Sequence, residues 1–181
     1  MRFSTLIYAT ISWASDSQIR IGKTILQKII FLAFPDSLRK NYYKPYYYGP
    51  FSRNVQSVAE SLTSLGLLIY EDNTFSRDSR INPAEFDDEE DLFQRIKSCV
   101  SFLSKHDLRF TREIAILSKT VLLLSSYTDK DNPDTVSFLR EKATFYDWQD
   151  FLELPDGGVK KYIKLATDFE SEINATEAKK N

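Results

Sequence analysis

Few residues in this chain have the types and spacing that covalent chemistry needs. Gly22-Lys23-Thr24 has the ending of a phosphate-binding loop. Such a loop needs another glycine five positions earlier, so that successive backbone amides can wrap the phosphates. Ser17 stands there, and Ile19 to Ile21 leave little room for a cradle, so the triplet reads as a helix start. Cys99 and His106 are the one cysteine and the one histidine. On a shared helix they would lie roughly 10 Å apart along the axis, well beyond the ~3 Å that a nucleophile and its base require. Cys99 reads as a small core residue, and His106 as a helix-end residue near the negative pole of the dipole. One cysteine and one histidine cannot form a Cys/His zinc site. Asp87 to Asp91 are five consecutive acids. Consecutive helical side chains spread around the axis instead of converging on a cation, so the run reads as an acidic helix start. The expectation is a non-enzymatic protein with no cofactor and no metal.

The remaining candidates are recognition residues. From Arg39 to Arg53, basic side chains interleave with aromatics, a composition that can stack on single-stranded nucleic acid. The rival reading packs at least half of these tyrosines between helices, with Tyr46 and Tyr48 turned one way and Tyr47 the other. Just downstream, Arg53, Asn54, Gln56, Ser57 and Glu60 fall off the apolar stripe of a helix. Arg, Asn and Gln are the side chains that read base edges, but only Arg53 is basic and Glu60 opposes it. Lys40, Lys44, Tyr47, Arg53, Asn54 and Gln56 are the candidate contacts for a partner or for nucleic acid.

The elements that must position them follow from periodicity. Phe3, Leu6, Ile7, Ile11 and Ala14 mark a helix over 3–14, broken by Ser15-Asp16-Ser17. A second helix spans 22–34, with Thr24, Gln27 and Lys28 opposite its apolar face, and Pro35 ends it. Arg39 and Lys40 lie in a loop. Tyr46-Tyr47-Tyr48 favours a strand, Gly49-Pro50 a turn, and Ser52 the N-cap of a third helix. Val55, Val58, Leu62 and Leu65 are its buried stripe, and Gly66 is its left-handed stop. Leu67–Tyr70 and Phe75–Ile81 would pair across a turn at 71–74. Beyond Asn82-Pro83, helices are expected from the acid run to Lys105, from a Thr111 cap to Ser125, over 135–146 and over 159–173. The helix that ends near Ser125 is the buried centre of that half. Asp129 to Asp134 form a polar turn, Pro155-Asp156-Gly157-Gly158 a sharp one, and the tail from Ala175 frays.

The fold class is therefore mostly α (α+β). A winged-helix-like N-terminal core over 1–83, with a small antiparallel β-hairpin wing, precedes a helical region over 84–181 packed on it as one compact unit. Lys23-Thr24-Ile25-Leu26-Gln27-Lys28, Phe31-Leu32, Tyr46-Tyr47-Tyr48-Gly49-Pro50-Phe51-Ser52 and Leu65-Gly66-Leu67-Leu68 together resemble the YwgA-like proteins. More distantly they resemble the Panacea (SocA-like) antitoxin domain. The resemblance covers about Lys23 to Tyr70. It implies a small cytoplasmic prokaryotic protein with a winged-helix-like core, antitoxin- or adaptor-like in role, and it transfers no role to particular residues.

Charge and composition narrow the partners. The net charge is −2 over 181 residues, with a pI near 5.5, which argues against a strong global pull on nucleic acid. The distribution is uneven: six basic residues and one acid lie between Lys23 and Arg53, against nine acids and two bases between Glu71 and Asp91. A lone cysteine excludes an internal disulfide and fits a reducing cytoplasm. No signal peptide or membrane span is expected. The expected ligand is a protein partner, DNA is the alternative through the helix over 52–65, and self-association stays open.

Overall fold

The computed structural model describes residues 3–77, 90–127 and 134–178. Helix α1 (Phe3–Asp16) runs through Ser15, whose Oγ donates to Ile11 O at 2.7 Å, so it does not break there. The chain turns at Gln18, which holds a left-handed φ of 59°. Helix α2 (Lys23–Ala33) is the centre of the molecule and buries every side chain from Ile25 to Ala33. Gln27 and Lys28 are buried too, at 6% and 2% exposure, and do not form the solvated face expected of them. The β-hairpin described next folds over that side.

The orphan carbonyls at the end of α2 are met by two buried arginines. Arg39 donates to Phe31 O at 3.0 Å and to Leu32 O at 2.7 Å, and Arg95 donates to Ala33 O at 2.6 Å. Positive charge at a helix C-terminus is favourable there. Arg39 also pairs with Glu170 at 2.6 Å. It lies on helix α3 (Asp36–Tyr42), where a loop was expected. Pro35 at the N-cap, Asp36 in the first turn and basic residues in the last turn suit a short helix.

Strands β1 (Lys44–Tyr46) and β2 (Gly49–Phe51) form an antiparallel hairpin. This corrects the expected corner: the turn is Tyr47-Tyr48, and Gly49-Pro50 lies in the returning strand. Pro45 faces Pro50 across the ladder. Neither has an N–H, so they occupy a non-hydrogen-bonded pair, which is where prolines can be accommodated. Helix α4 (Arg53–Ser64) is capped by Ser52, whose Oγ accepts from Val55 N at 3.5 Å. Val55, Ala59 and Leu62 are its buried face. Leu65 was expected there, but it is the helix C-cap and is 71% exposed. Gly66 has the expected left-handed φ, 69°.

Strands β3 (Leu68–Glu71) and β4 (Thr74–Arg77) form the second hairpin. Its turn is Asp72-Asn73, both at positive φ (48° and 60°), a geometry these two residue types tolerate. Residues 78–81 of the expected return strand, the boundary at 83, the acids at 87–89 and the turn over 129–133 lie outside the described residues.

The C-terminal half comprises α5 (Glu90–Lys105), α6 (Thr111–Leu124), α7 (Thr135–Phe145), α8 (Gln149–Leu152) and α9 (Asp156–Ala178). Thr111 is the first residue of α6, not its cap; Phe110 holds the cap position and its N–H donates to the Glu113 carboxylate at 3.3 Å. Pro155 to Gly158 do not make a sharp turn. The amides of Gly158 and Val159 donate to Pro155 O at 2.8 and 3.0 Å and open α9, which continues to Ala178, past the expected fraying point. Arg140 secures the preceding loop by donating to Leu152 O and Leu154 O. Helix α2 packs on α1, α5 and α6, so both halves share one core. The architecture is mostly α with two small antiparallel hairpins.

Candidate functional site

The hairpin β1–β2 is held to α2 by two side chains that the sequence places side by side. Gln27 makes a reciprocal pair with Ser52: its Nε2 donates to Ser52 O at 2.9 Å, and its Oε1 accepts from Ser52 N at 3.0 Å. Lys28 Nζ donates to Pro50 O at 2.6 Å. A buried backbone group must find a partner, and here one helical turn satisfies both ends of the Pro50–Ser52 segment. Gly49 is required twice over. Its φ is 96°, and a Cβ there would sit 3.0 Å from Lys119 Cγ and 3.6 Å from Lys28 Cε.

Lys119 lies in the middle of α6, 1% exposed, and pairs with Asp150 of α8. Its ammonium also sits 5.3 Å from the ring centre of Trp148. Trp148 in turn donates from Nε1 to Tyr46 O at 2.7 Å, tying the other strand of the hairpin to the C-terminal half. Burial, and secondarily repulsion from Lys119, pulls Lys28 down from the ordinary lysine value to about 7, against a smaller opposing pull from Asp150. Lys119 is lowered by burial, opposed by its hydrogen bond to Asp150. A solitary lysine in the run Ile114–Leu124, and the Gln-Lys pair inside an otherwise apolar helix, were the signals for this cluster. The sequence reading passed over Lys119, Trp148 and Asp150 as functional residues.

So anchored, the hairpin presents Tyr46, Tyr47 and Tyr48 to solvent at 54%, 64% and 71% exposure. This corrects the expectation that at least half of the tyrosines pack between helices: of the five from Tyr42 to Tyr48 only the upstream two do, Tyr43 buried against Phe31 and Phe34, and Tyr42 half-buried against Phe3 and Phe34. Four of the six candidate contacts come together. Lys44, Arg53, Asn54 and Gln56 line an open groove of about 840 Å³ between the hairpin and α4, with Tyr46, Phe51 and Glu60. Lys40, exposed on α3, and Tyr47, at the hairpin tip, lie outside its lining. Glu60 accepts from Gln56 Nε2 at 2.8 Å and offsets part of the groove's positive charge. Arg39 is buried against the C-terminal carbonyls of α2 and does not line the groove. A second, narrower cleft of about 180 Å³ opens beside the groove, between α2, the hairpin and α4, and Lys28 lines it.

Cys99 is fully buried and its thiol is pushed up to about 12 by burial. His106 packs against Phe102 with the rings tilted by 34° and their centres 4.2 Å apart, at the end of α5. The two form no dyad. Among the described residues no group of three or more His, Cys, Asp or Glu side chains could hold a metal ion. No described helix is long and apolar enough to cross a membrane. No protein-family model matches the chain, and no curated protein matches it.

Proposed function

We propose that the chain is a non-enzymatic, winged-helix-type interaction protein that binds a protein partner through the face made by hairpin β1–β2 and the N-terminal half of α4. The observation that carries this is three consecutive exposed tyrosines on a hairpin whose backbone is fixed by Gln27, Lys28 and Trp148. Aromatic anchors dominate interface energetics, and a rigid presentation reduces the ordering cost of binding. The antitoxin- or adaptor-like role implied by the resemblance to YwgA-like and Panacea proteins is consistent with such a face. The winged-helix reading is supported by the mutual packing of α1, α2 and α4 beside the β3–β4 hairpin, and by Phe75 N donating to Ile21 O at 2.7 Å. That bond lays the segment before α2 along β4.

DNA is the second reading, because Arg53, Asn54 and Gln56 are exposed on α4 beside Lys44. A salt titration with random duplex separates the two. Phosphate-mediated binding weakens steeply with salt; absence of duplex binding even at low salt removes the DNA reading. For the protein reading, the partner is captured from native-host lysate with wild type and with the K44E/R53E variant. Loss of capture in the variant supports the assigned face. Equal capture by both moves the interface elsewhere.

A further inference from the structure

The narrow cleft differs in character from the open groove beside it. Its walls are mostly carbon, from Leu26, Phe51, Val55, Ala59 and Phe75. Of the charged residues that also line it, Lys23 and Glu60 are exposed, and Lys28 is the buried one, at 2% exposure. Its ammonium has three donors, and Pro50 O is the acceptor it meets among the described residues. Lys28 and Lys119 meet at Gly49, since a Cβ on that glycine would touch both side chains. The carboxylate beside them, Asp150, is already paired with Lys119. Two buried ammonium groups thus share one carboxylate and leave one positive charge uncompensated beside an apolar cavity. Burying an unpaired charge is costly, and an anion in the cleft would relieve that cost.

We propose that this cleft binds a small apolar molecule carrying a single carboxylate, with the carboxylate on Lys28 Nζ and the apolar body against Leu26, Val55, Ala59 and Phe75. One surplus charge selects a monoanion over a phosphate ester or a dicarboxylate. The volume, about 180 Å³, suits a short acyl chain or a single aromatic ring. The other charged and titratable groups around the cleft are Lys23 on α2, Glu60 on α4, and Tyr46 and Tyr48 on the hairpin. Lys23 sits 5.0 Å from the Tyr70 ring centre and Glu60 accepts from Gln56, so both are engaged at the mouth. This inference does not depend on the protein-partner reading.

The test is calorimetric titration of the full chain with octanoate and with 3-phenylpropionate, each compared with its neutral amide. At pH 6.5 the acids bind at least tenfold more tightly than the amides, the advantage expected for a hydrogen bond to a charged group. The gap narrows toward pH 9 as Lys28 loses its proton, because its value lies near 7. Lys28→Met abolishes the gap. Gln56→Trp, an exposed position at the mouth, blocks acids and amides alike, and this arm together with the wild-type pH series decides the matter even if the lysine variant does not fold. Equal affinity for acid and amide overturns the proposal, as does no binding of either acid or a gap that survives Lys28→Met.

Discussion

Replacing Lys28 with methionine and following stability against pH isolates the buried ammonium. Lys28 falls from 10.5 to about 7 on folding. Below pH 7 both folded and unfolded chains hold the proton, and the native state carries the full cost of the buried charge. Between pH 7 and 10.5 the unfolded chain binds more protons than the folded one, so native stability rises with pH across that window. Each tenfold change in proton activity is worth up to about 1.4 kcal/mol, so wild type gains about 2 kcal/mol from this group between pH 7 and 9. The methionine variant lacks this term. It also loses the bond to Pro50 O, but that loss does not depend on pH and leaves the slope intact. Urea denaturation of both proteins at pH 6, 7, 8 and 9 reads the effect. The stability of wild type relative to the variant should rise from pH 7 to 9 and be nearly flat below pH 6.5. Parallel curves across the series would refute the assignment of a charged, desolvated Lys28.

Other perturbations test the clamp piece by piece. Gln27→Ala orphans the buried N–H of Ser52, while Ser52 O keeps the amide of Gln56 as a donor at 3.2 Å; the variant should be destabilised by ~1–3 kcal/mol in chemical denaturation, where a surface glutamine would cost almost nothing. Gly49→Ala meets Lys119 and a φ of 96° together and should lose ~1–3 kcal/mol. Gly66→Ala has open space around it and should lose only about 1 kcal/mol, from backbone strain alone. Tyr43→Phe removes a buried hydroxyl that has no hydrogen-bond partner among the described residues; thermal unfolding should show the variant unchanged or more stable by about 1 kcal/mol.

Local signals carried much of the fold. The Ser52 cap, the Gly66 stop and the stripe through Val55 and Leu62 are properties of a helix and its own ends, and they stand as read. What went unread depends on distant residues. Gln27 and Lys28 look solvent-facing on a helical wheel, because periodicity is blind to a hairpin that folds back over that face. Gly49-Pro50 resembles a turn, yet Gly49 supplies the positive φ of a returning strand and Pro50 sits where no amide is needed. Leu65 continues the stripe by count, but the helix ends before it. Lys119 and Asp150 are 31 residues apart, and no spacing rule joins them. For the candidate contacts, Lys44, Arg53, Asn54 and Gln56 cluster because the hairpin runs directly into the helix start, a link visible in the sequence, whereas the cleft beside them was not.

The central claim is that the clamped tyrosine hairpin is where a protein partner sits. A photo-crosslinking residue placed at Tyr47 at the hairpin tip, or at Phe110 at the start of α6 as an equally exposed control, tests it inside native-host cells. The account predicts a single discrete adduct from position 47 and none from position 110. An adduct from position 110 with none from position 47 would contradict it.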